Sequence, residues 1–268
     1  MSAARAAFGG SRRARYLSVV RTVAWRHLHL VIRRPALLLP ALIFPLFFYT
    51  AFAGGLSAVS NAPGFDYYDY NAFQFVFVLL QSAAFGGVFI GFSIGADFDS
   101  GFTRRLFAAA PDRSAVVLGF GLAAVVRTLV VWTMVFAIAL ITGMDVNASG
   151  VDLLGLFVLA FIVNVAAFFF AAGMMLRFRT MQAAPAMQIP VFMILMTTPV
   201  YVPRDLLQGW VETASQLNPA TAIVEAGRSL MAADPFHVVL AFMAAGSLVL
   251  VLAVFARRGL RKAEAQAA

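Results

Sequence analysis

The sequence predicts an all-α polytopic membrane protein with six transmembrane helices and both termini in the cytoplasm. Of its 268 residues, 62% are apolar and only 12% are charged, against about 25% charged residues in soluble domains. Six apolar runs reach roughly 20 residues, the length that crosses a bilayer as a helix. The basic residues gather in alternate connecting segments, which the positive-inside rule assigns to the cytoplasm.

The tail before the first span carries eight arginines, which interrupt its apolar residues and argue against a cleavable signal. On a helix, Arg15, Arg26 and Arg33 share one stripe, and Leu17 and Leu28 lie opposite. This pattern is typical of a helix lying in the headgroup layer. We therefore predict a cytoplasmic tail with an interfacial helix over residues 1–34.

A six-helix transmembrane domain is predicted over residues 35–268. Its third and fourth spans exceed the minimum length, so we expect them to tilt or to extend beyond the lipid. The predicted spans are residues 37–56, 72–96, 115–143, 151–176, 183–202 and 236–256.

The charge distribution sets the orientation. Seventeen of the 20 basic residues lie in the N-terminal tail, the second and fourth connections and the C-terminal tail. The net charge of +8 therefore reflects membrane topology, and we expect no nucleic-acid partner. The strong preference for arginine over lysine suggests a bacterial genome and hence a bacterial plasma membrane.

Several function classes are excluded or disfavoured. The chain has no cysteine, which excludes disulfides and thiol catalysis. We find no catalytic motif of the zinc-protease or serine-hydrolase type and expect neither an enzyme nor a metal site. The six apolar cores contain no acidic residue, which counts against an ion-coupled secondary transporter.

Between the second and third spans lies a charged island, GADFDSGFTRRLFAAAPDRS, residues 95–114. If the island is helical, Phe98, Phe102 and Leu106 lie on one face, and Pro111 ends the helix. Periodicity leaves two interpretations open. The helix either rests on lipid headgroups or inserts its apolar ridge into a groove of another protein.

Glycines at four-residue spacing, Gly87, Gly91 and Gly95, mark the second span. Such a stripe lets another helix approach closely. Packing within one subunit is favoured over a dimer contact or pore lining.

Arg127 lies near the middle of the third apolar run, where a charge costs roughly 2.5–3.5 kcal/mol. It is either shallower than the midplane or functional, pairing with an acidic substrate headgroup or with Gln81 or Asn164. These two amides and Gln188 are candidates for interhelical hydrogen bonds or for the translocation path.

Residues 203–235 are too polar to span the membrane and too long for a turn. Asn218 and Pro219 predict a capped helix start, and Glu225 and Arg228 at i, i+3 can pair. A re-entrant segment and a surface hairpin are both open interpretations.

Two motifs in register with this topology resemble ABC-2-type exporter permeases, including the daunorubicin-resistance type. The stretch LNPATAIVEAGRSL, residues 217–230, resembles the segment before the last span of that family, at Asn218, Pro219, Glu225 and Arg228. The island resembles its first cytoplasmic loop, at Asp97, Asp99, Gly101, Arg104, Arg105, Leu106, Pro111 and Arg113.

The resemblance implies the fold of a type V ABC exporter, in which the island (residues 97–112) is a coupling helix that includes Phe98 and Phe102. It implies two partners, a separate ABC ATPase subunit and a second permease copy or homologue, besides membrane lipid. It also implies that the outer segment is re-entrant. The chain has no phosphate-binding loop, so ATP and Mg²⁺ are expected in the ATPase and no cofactor is expected here.

For the cargo, the resemblance implies either hydrophobic drugs and lipid-like molecules or, as the alternative, polysaccharides and lipid-linked glycans. The chain holds 27 phenylalanines but only three tryptophans and six tyrosines. This composition favours apolar cargo.

Overall fold

The structure is a computed structural model that describes residues 11–33, 39–109 and 112–265. Every regular element within these ranges is helical. Pro111 lies outside the described residues, as does the side chain of Arg104. Their expected roles in the island therefore stay predictions.

Ten α-helices occupy the described ranges, joined by turns that include three short 3-10 segments. They are α1 Arg12–Arg33, α2 Leu39–Gly55, α3 Tyr70–Asp99, α4 Phe102–Ala109, α5 Arg113–Ile141, α6 Gly150–Phe178, α7 Ala184–Met196, α8 Trp210–Leu217, α9 Pro219–Met231 and α10 Val238–Ala265.

Helix α3 is the centre of the fold. It packs against α2, α5, α6, α7 and α9, and 89% of its most apolar 18-residue stretch is buried inside the protein. Helix α10 is the opposite case. It packs on α6 and α9, and only 11% of its corresponding stretch is buried. The apolar surface of α10 therefore faces outward, where lipid or another subunit would cover it.

Four helices are long and apolar enough to cross a membrane: α3, α5, α6 and α10. Two further apolar helices, α2 and α7, are shorter. At a rise of about 1.5 Å per residue, the 13 residues of α7 extend about 20 Å, less than the roughly 30 Å of a hydrocarbon core. The described residues thus form a helical protein with four helices that have the length and composition of a membrane span.

The predicted fifth span, residues 183–202, is wrong about its end. Helix α7 stops at Met196, and residues 197–202 are not helical. The Thr197 and Thr198 hydroxyls donate to carbonyls of the last turn, and Pro199 has no N–H to continue the helix. The carbonyls freed after this point take part in the contacts of Arg228 described below.

Helix α1 lies along α5 rather than alone. The two backbones meet at Gly119, where an added Cβ would stand 2.6 Å from the Cβ of Val23. Val23, Ala24 and His27 are buried on this face, whereas Leu17 and Trp25 are exposed. An exposed apolar face suits the predicted interfacial position.

Candidate functional site at the elbow and at two buried arginines

The elbow, residues 97–107, consists of the end of α3, the turn at Gly101 and most of α4. Helix α3 ends at Asp99, and the N–H of Ser100 bonds the Ala96 carbonyl at 3.0 Å. Gly101 then has φ +70°, a conformation that glycine adopts at little cost. The chain therefore turns at Gly101, and the predicted single helix over 97–112 is wrong: residues 97–99 belong to α3, and α4 is Phe102–Ala109.

Asp97 fastens the elbow to α1 through an ion pair. Arg26 donates from Nη1 to Oδ2 at 2.7 Å and from Nη2 to Oδ1 at 3.0 Å. The Nε2 atom of His27 stands 3.3 Å from Oδ2. A two-pronged guanidinium–carboxylate contact is both strong and directional, so α1 and the elbow are held in a fixed relative position.

The aromatic residues of the elbow differ from the predicted ridge. Phe98 is buried at the end of α3 and meets Phe107 edge to face, with ring centroids 6.0 Å apart. Phe102 lies on α4 beneath the Arg26 guanidinium, 3.7 Å from its carbon to the ring centroid. Because Gly101 separates the two helices, Phe98, Phe102 and Leu106 do not form one exposed stripe.

Of the other polar residues in the elbow and at the start of α5, some make contacts inside the protein and some are exposed. Asp99 accepts a hydrogen bond from the Met181 N–H at 2.9 Å, which ties the end of α3 to the turn before α7. Arg113 donates to the Phe107 carbonyl at 3.2 Å. Arg105 is exposed, and Phe102 and Leu106 are partly exposed. Among the side chains of α4 that the structure describes, these three reach the surface.

Arg26 and His27 of α1 contact the elbow, a role that the sequence did not assign to either residue. His27 is buried against Phe120, with ring centroids 4.5 Å apart. The available signal was Asp97 itself, since an acid closing a long apolar run needs a cation. Periodicity carries no information about a partner 71 positions away.

The glycine stripe of α3 faces α6. A Cβ on Gly87 would lie 2.5 Å from the Asn164 carbonyl oxygen and 2.6 Å from the Phe168 nitrogen. Gly91 and Gly95 similarly face side chains of α6 and the region around α7. The close approach is thus between helices of one chain.

The intramembrane amides have different surroundings. Asn164 donates from Nδ2 to the Ala83 carbonyl at 2.8 Å and to the Thr128 hydroxyl at 3.1 Å, which joins α6 to α3 and α5. Gln81 is fully buried, and both polar atoms of its amide lack a hydrogen-bond partner. Gln188 lies half-buried on α7.

Arg127 lies at the midpoint of α5 and is buried. Its Nη2 donates to the Gly86 carbonyl at 3.2 Å, and its Nε has no partner. The guanidinium borders a cleft of about 350 Å³ that also reaches Asp97. Of the two partners predicted for Arg127, neither Gln81 nor Asn164 forms a hydrogen bond with it in the described structure.

Arg228 is buried too, but its hydrogen bonds are made. It donates to the carbonyls of Pro199 at 2.6 Å, Val200 at 3.3 Å and Phe73 at 3.3 Å. Its guanidinium carbon lies 3.3 Å from the Phe73 ring centroid. Burial lowers the pKa of Arg228 to about 9. The predicted pairing with Glu225 is wrong within the described residues, because the guanidinium faces carbonyls rather than that carboxylate.

Asn218 joins two helix ends. Its Oδ1 accepts from the Ala220 N–H at 2.9 Å and caps α9, with Pro219 in the first turn as predicted. Its Nδ2 donates to the Ile194 carbonyl at 2.6 Å and to the Thr197 hydroxyl at 2.9 Å, at the end of α7. One amide therefore fixes where α7 stops and where α9 starts.

Three tyrosines before and at the start of α3 hold the same end of the molecule, and the sequence did not identify them. Tyr67 donates to the Arg228 carbonyl at 2.8 Å, and Tyr70 donates to the Tyr201 carbonyl at 3.1 Å. Tyr68 donates to the carbonyls of Asp145 and Met231. Their close spacing in FDYYDY was the available signal.

An apolar cavity of about 290 Å³ lies between α3, α6, α7, α9 and α10. Its walls are almost entirely hydrocarbon, and a molecule inside would meet few polar groups. Its lining includes Leu80, Val163, Phe170, Ile194, Ile223 and Leu248.

Comparison with known proteins gives one family. The model of a family described as ABC-2 type transporter matches residues 18–232. The match includes most of α1, the elbow, both buried arginines and all of α9. A sequence search of the curated proteins returned no significant match.

Proposed function

This chain belongs to the ABC-2 type transporter family, and we propose that it is the permease subunit of an ATP-driven exporter coupled to a separate ATPase. Family membership supports the permease role. The four long apolar helices support a multi-pass membrane location. The proposal includes six spans, cytoplasmic termini and the bacterial plasma membrane, with the daunorubicin-resistance type as the subfamily.

We propose that α4 is the contact through which the ATPase moves the permease. The observation that carries this is that the elbow is attached to other elements at two points: Asp97 pairs with Arg26 of α1, and Asp99 accepts a hydrogen bond from the Met181 N–H before α7. The short α4 connects two long helices, α3 and α5, and leaves Arg105 exposed. If the elbow can adopt two positions, a partner that binds one of them more tightly would shift α1, α3 and α5 together.

The ATPase would supply the nucleotide chemistry with ATP and Mg²⁺, and the permease would supply the path. A second permease copy or a homologue would complete that path. The outward apolar surface of α10 is compatible with lipid or with such a partner.

We propose hydrophobic or lipid-like molecules as the cargo. The apolar cavity beside α7 supports this class, since its wall offers almost no hydrogen-bonding groups. A polysaccharide would require polar contacts that this wall lacks. The elbow and the proposed coupling do not depend on the cargo.

The experiment that tests the function co-expresses the chain with candidate ABC ATPases from the same genome, purifies it and measures ATP hydrolysis in the presence of lipophilic compounds. We expect a stable complex whose hydrolysis is stimulated. Leu106→Asp would place a charge in the proposed contact, where an unpaired charge is costly. It should lower complex formation or stimulation by about tenfold.

Leu217→Asp is the matched control, since Leu217 is exposed on α8 and the same substitution there should leave the complex intact. Normal assembly and stimulation with Leu106→Asp would contradict the coupling role of α4. Failure of the unmodified chain to bind any ATPase would contradict the permease function itself.

A further inference from the structure

Arg127 is a buried cation without a matching anion. Its residue is 8% exposed, its Nε has no partner, and its hydrogen bond to Gly86 is 3.2 Å long. Over the described ranges, the ion pairs found are those of Asp97, and no carboxylate reaches Arg127. A buried donor left unmatched is costly, and the cost is relieved when an anion binds beside it.

A cleft leads to this cation. It has a volume of about 350 Å³ and is lined by α1, α2, α3 and α5. Leu28 and Val31 of α1 form one apolar wall, and Phe89 and Phe92 of α3 form the other. The volume falls in the range of small-molecule sites.

Unpaired polar groups continue on the far side of Arg127. A second, small cavity of about 10 Å³ is bordered by Arg127, Gln81 and Thr128, and this is roughly the space that one water occupies. Gln81 is fully buried with its amide nitrogen and oxygen unpaired. Donors from α3 and α5 thus surround one place, which is rare in a core where polar groups are normally matched.

We propose that this cleft binds an anionic amphiphile, with its carboxylate or phosphate oxygens on Arg127 and its hydrocarbon chain between α1 and α3. Arg127 supplies the charge, and the Gln81 amide lies behind it across the small cavity that both residues border. Leu28, Val31 and Phe92 supply the apolar contact. The ligand's headgroup therefore lies deeper in the protein than the opening between α1 and α3 through which its hydrocarbon chain leaves. Recognition requires both parts of the ligand.

The acid at the other end of the cleft does not oppose an anion. Asp97 is held by Arg26 in a two-pronged contact and faces His27. Its charge is balanced within the protein. Arg127 is then the group whose charge is left for a ligand.

The inference deepens the proposed function by naming a substrate class, and it rests on that function only where the bound amphiphile is called cargo. Binding itself requires no ATPase. A failed complex with the ATPase and a failed binding test are therefore separate results.

The test measures binding of oleate to the full chain in a neutral detergent by native mass spectrometry. Oleyl alcohol has the same chain without the charge, and inorganic phosphate is an anion without the chain. We expect one oleate per chain. Oleyl alcohol and phosphate should each bind at least about tenfold more weakly, because a charge-assisted hydrogen bond and an apolar contact are each lost.

Two variants probe the two halves of the site. Arg127→Gln should weaken oleate binding by about tenfold or more, whereas Arg258→Gln, at an exposed position of α10, should leave it unchanged. Val31→Trp places a larger side chain in the cleft, leaves Arg127 intact and should abolish oleate binding. If Arg127→Gln does not accumulate, Val31→Trp decides the question.

Three results would overturn the proposal. Equal binding of oleate and oleyl alcohol would show that the charge is not recognised. Equal binding of phosphate and oleate would show that the hydrocarbon chain of the ligand is not recognised. Unchanged oleate binding in Val31→Trp or Arg127→Gln would place the ligand elsewhere.

Discussion

Arg127 and Arg228 are both buried cations in the same helical protein, yet their surroundings are opposite. Arg228 donates to three carbonyls and lies over the Phe73 ring. Arg127 has one hydrogen bond of 3.2 Å and an unpaired Nε, and it borders a cleft. The first arginine is saturated by its own chain, whereas the second still has donors to offer.

The difference separates a charge that the fold itself uses from a charge that is left for the ligand we propose. The carbonyls beyond the end of α7 lose their helical partners, and Arg228 replaces those partners. Gly86 sits within α3, so the bond from Arg127 adds to a helix that is already complete. Removing Arg228 therefore leaves the Pro199 carbonyl without a donor, whereas removing Arg127 leaves the Gly86 carbonyl with its helical partner.

The largest expected effect comes from Arg228→Ala. Its removal takes away three hydrogen bonds, leaves the buried Pro199 carbonyl without its donor and should lower the free energy of unfolding by about 3 kcal/mol or more. Thermal unfolding in detergent, followed by tryptophan fluorescence, measures it. Arg228→Lys should recover little of the loss, because an ammonium lacks the planar fork.

Arg204→Ala is the control, since Arg204 is exposed in the same segment. Unfolding of Arg228→Ala at the same temperature as Arg204→Ala would refute the structural role of Arg228.

Arg26 adds an intermediate case, because its charge is matched by a carboxylate. Asp97→Asn removes the ionic contact and should cost about 1–2 kcal/mol of stability. Combining it with Arg26→Gln should cost less than the sum of the two single losses. A double-mutant cycle on unfolding midpoints checks this. Strict additivity would mean that the ion pair does not hold α1 to the elbow.

Arg127→Leu should have a small or even favourable effect on stability. One long hydrogen bond worth about 1 kcal/mol is lost, and an intramembrane charge costing roughly 2.5–3.5 kcal/mol is removed. The same unfolding assay measures it beside Arg228→Leu. Equal destabilisation by the two substitutions would erase the distinction between the two arginines.

The smallest expected effect concerns pH and the neighbour of Arg228. Burial raises the pKa of Glu225 above its usual value, so the folded chain holds this proton more tightly than the unfolded chain. The contribution of Glu225 to stability therefore falls as the pH rises from the unfolded pKa through the folded pKa, and is constant above that window.

Unfolding of Glu225→Gln, measured from about pH 4 to pH 7, should show a weaker decline over this window than the unmodified chain. Identical pH profiles for the two proteins would show that folding does not shift the pKa of the Glu225 carboxyl group.

Much of the fold follows from the sequence. The predicted spans 72–96, 115–143 and 151–176 lie within three residues of α3, α5 and α6 at each end, because a long apolar run in lipid has few alternatives to a helix. The predicted fifth span extends too far, because its apolar composition does not show that the helix ends before Pro199, which has no N–H to continue it. The family itself was predicted from two motifs, and the family match confirms it.

The site was less predictable. Helical periodicity placed Phe98 beside Phe102, but Gly101 turns the chain between them. The contacts of Asp97 and Arg228 join segments far apart in sequence. The surroundings of Arg127 depend on what α2 and α3 fail to provide, which no local pattern encodes.

The account depends most on the elbow facing the cytoplasm and the ATPase. Because the chain has no cysteine, Arg105→Cys gives a single reactive site on α4, and Glu212→Cys gives one on α8. We predict that a membrane-impermeant maleimide labels Glu212→Cys in intact cells and labels Arg105→Cys only after permeabilisation, with less labelling when the ATPase is present. Labelling of Arg105→Cys in intact cells would contradict the account.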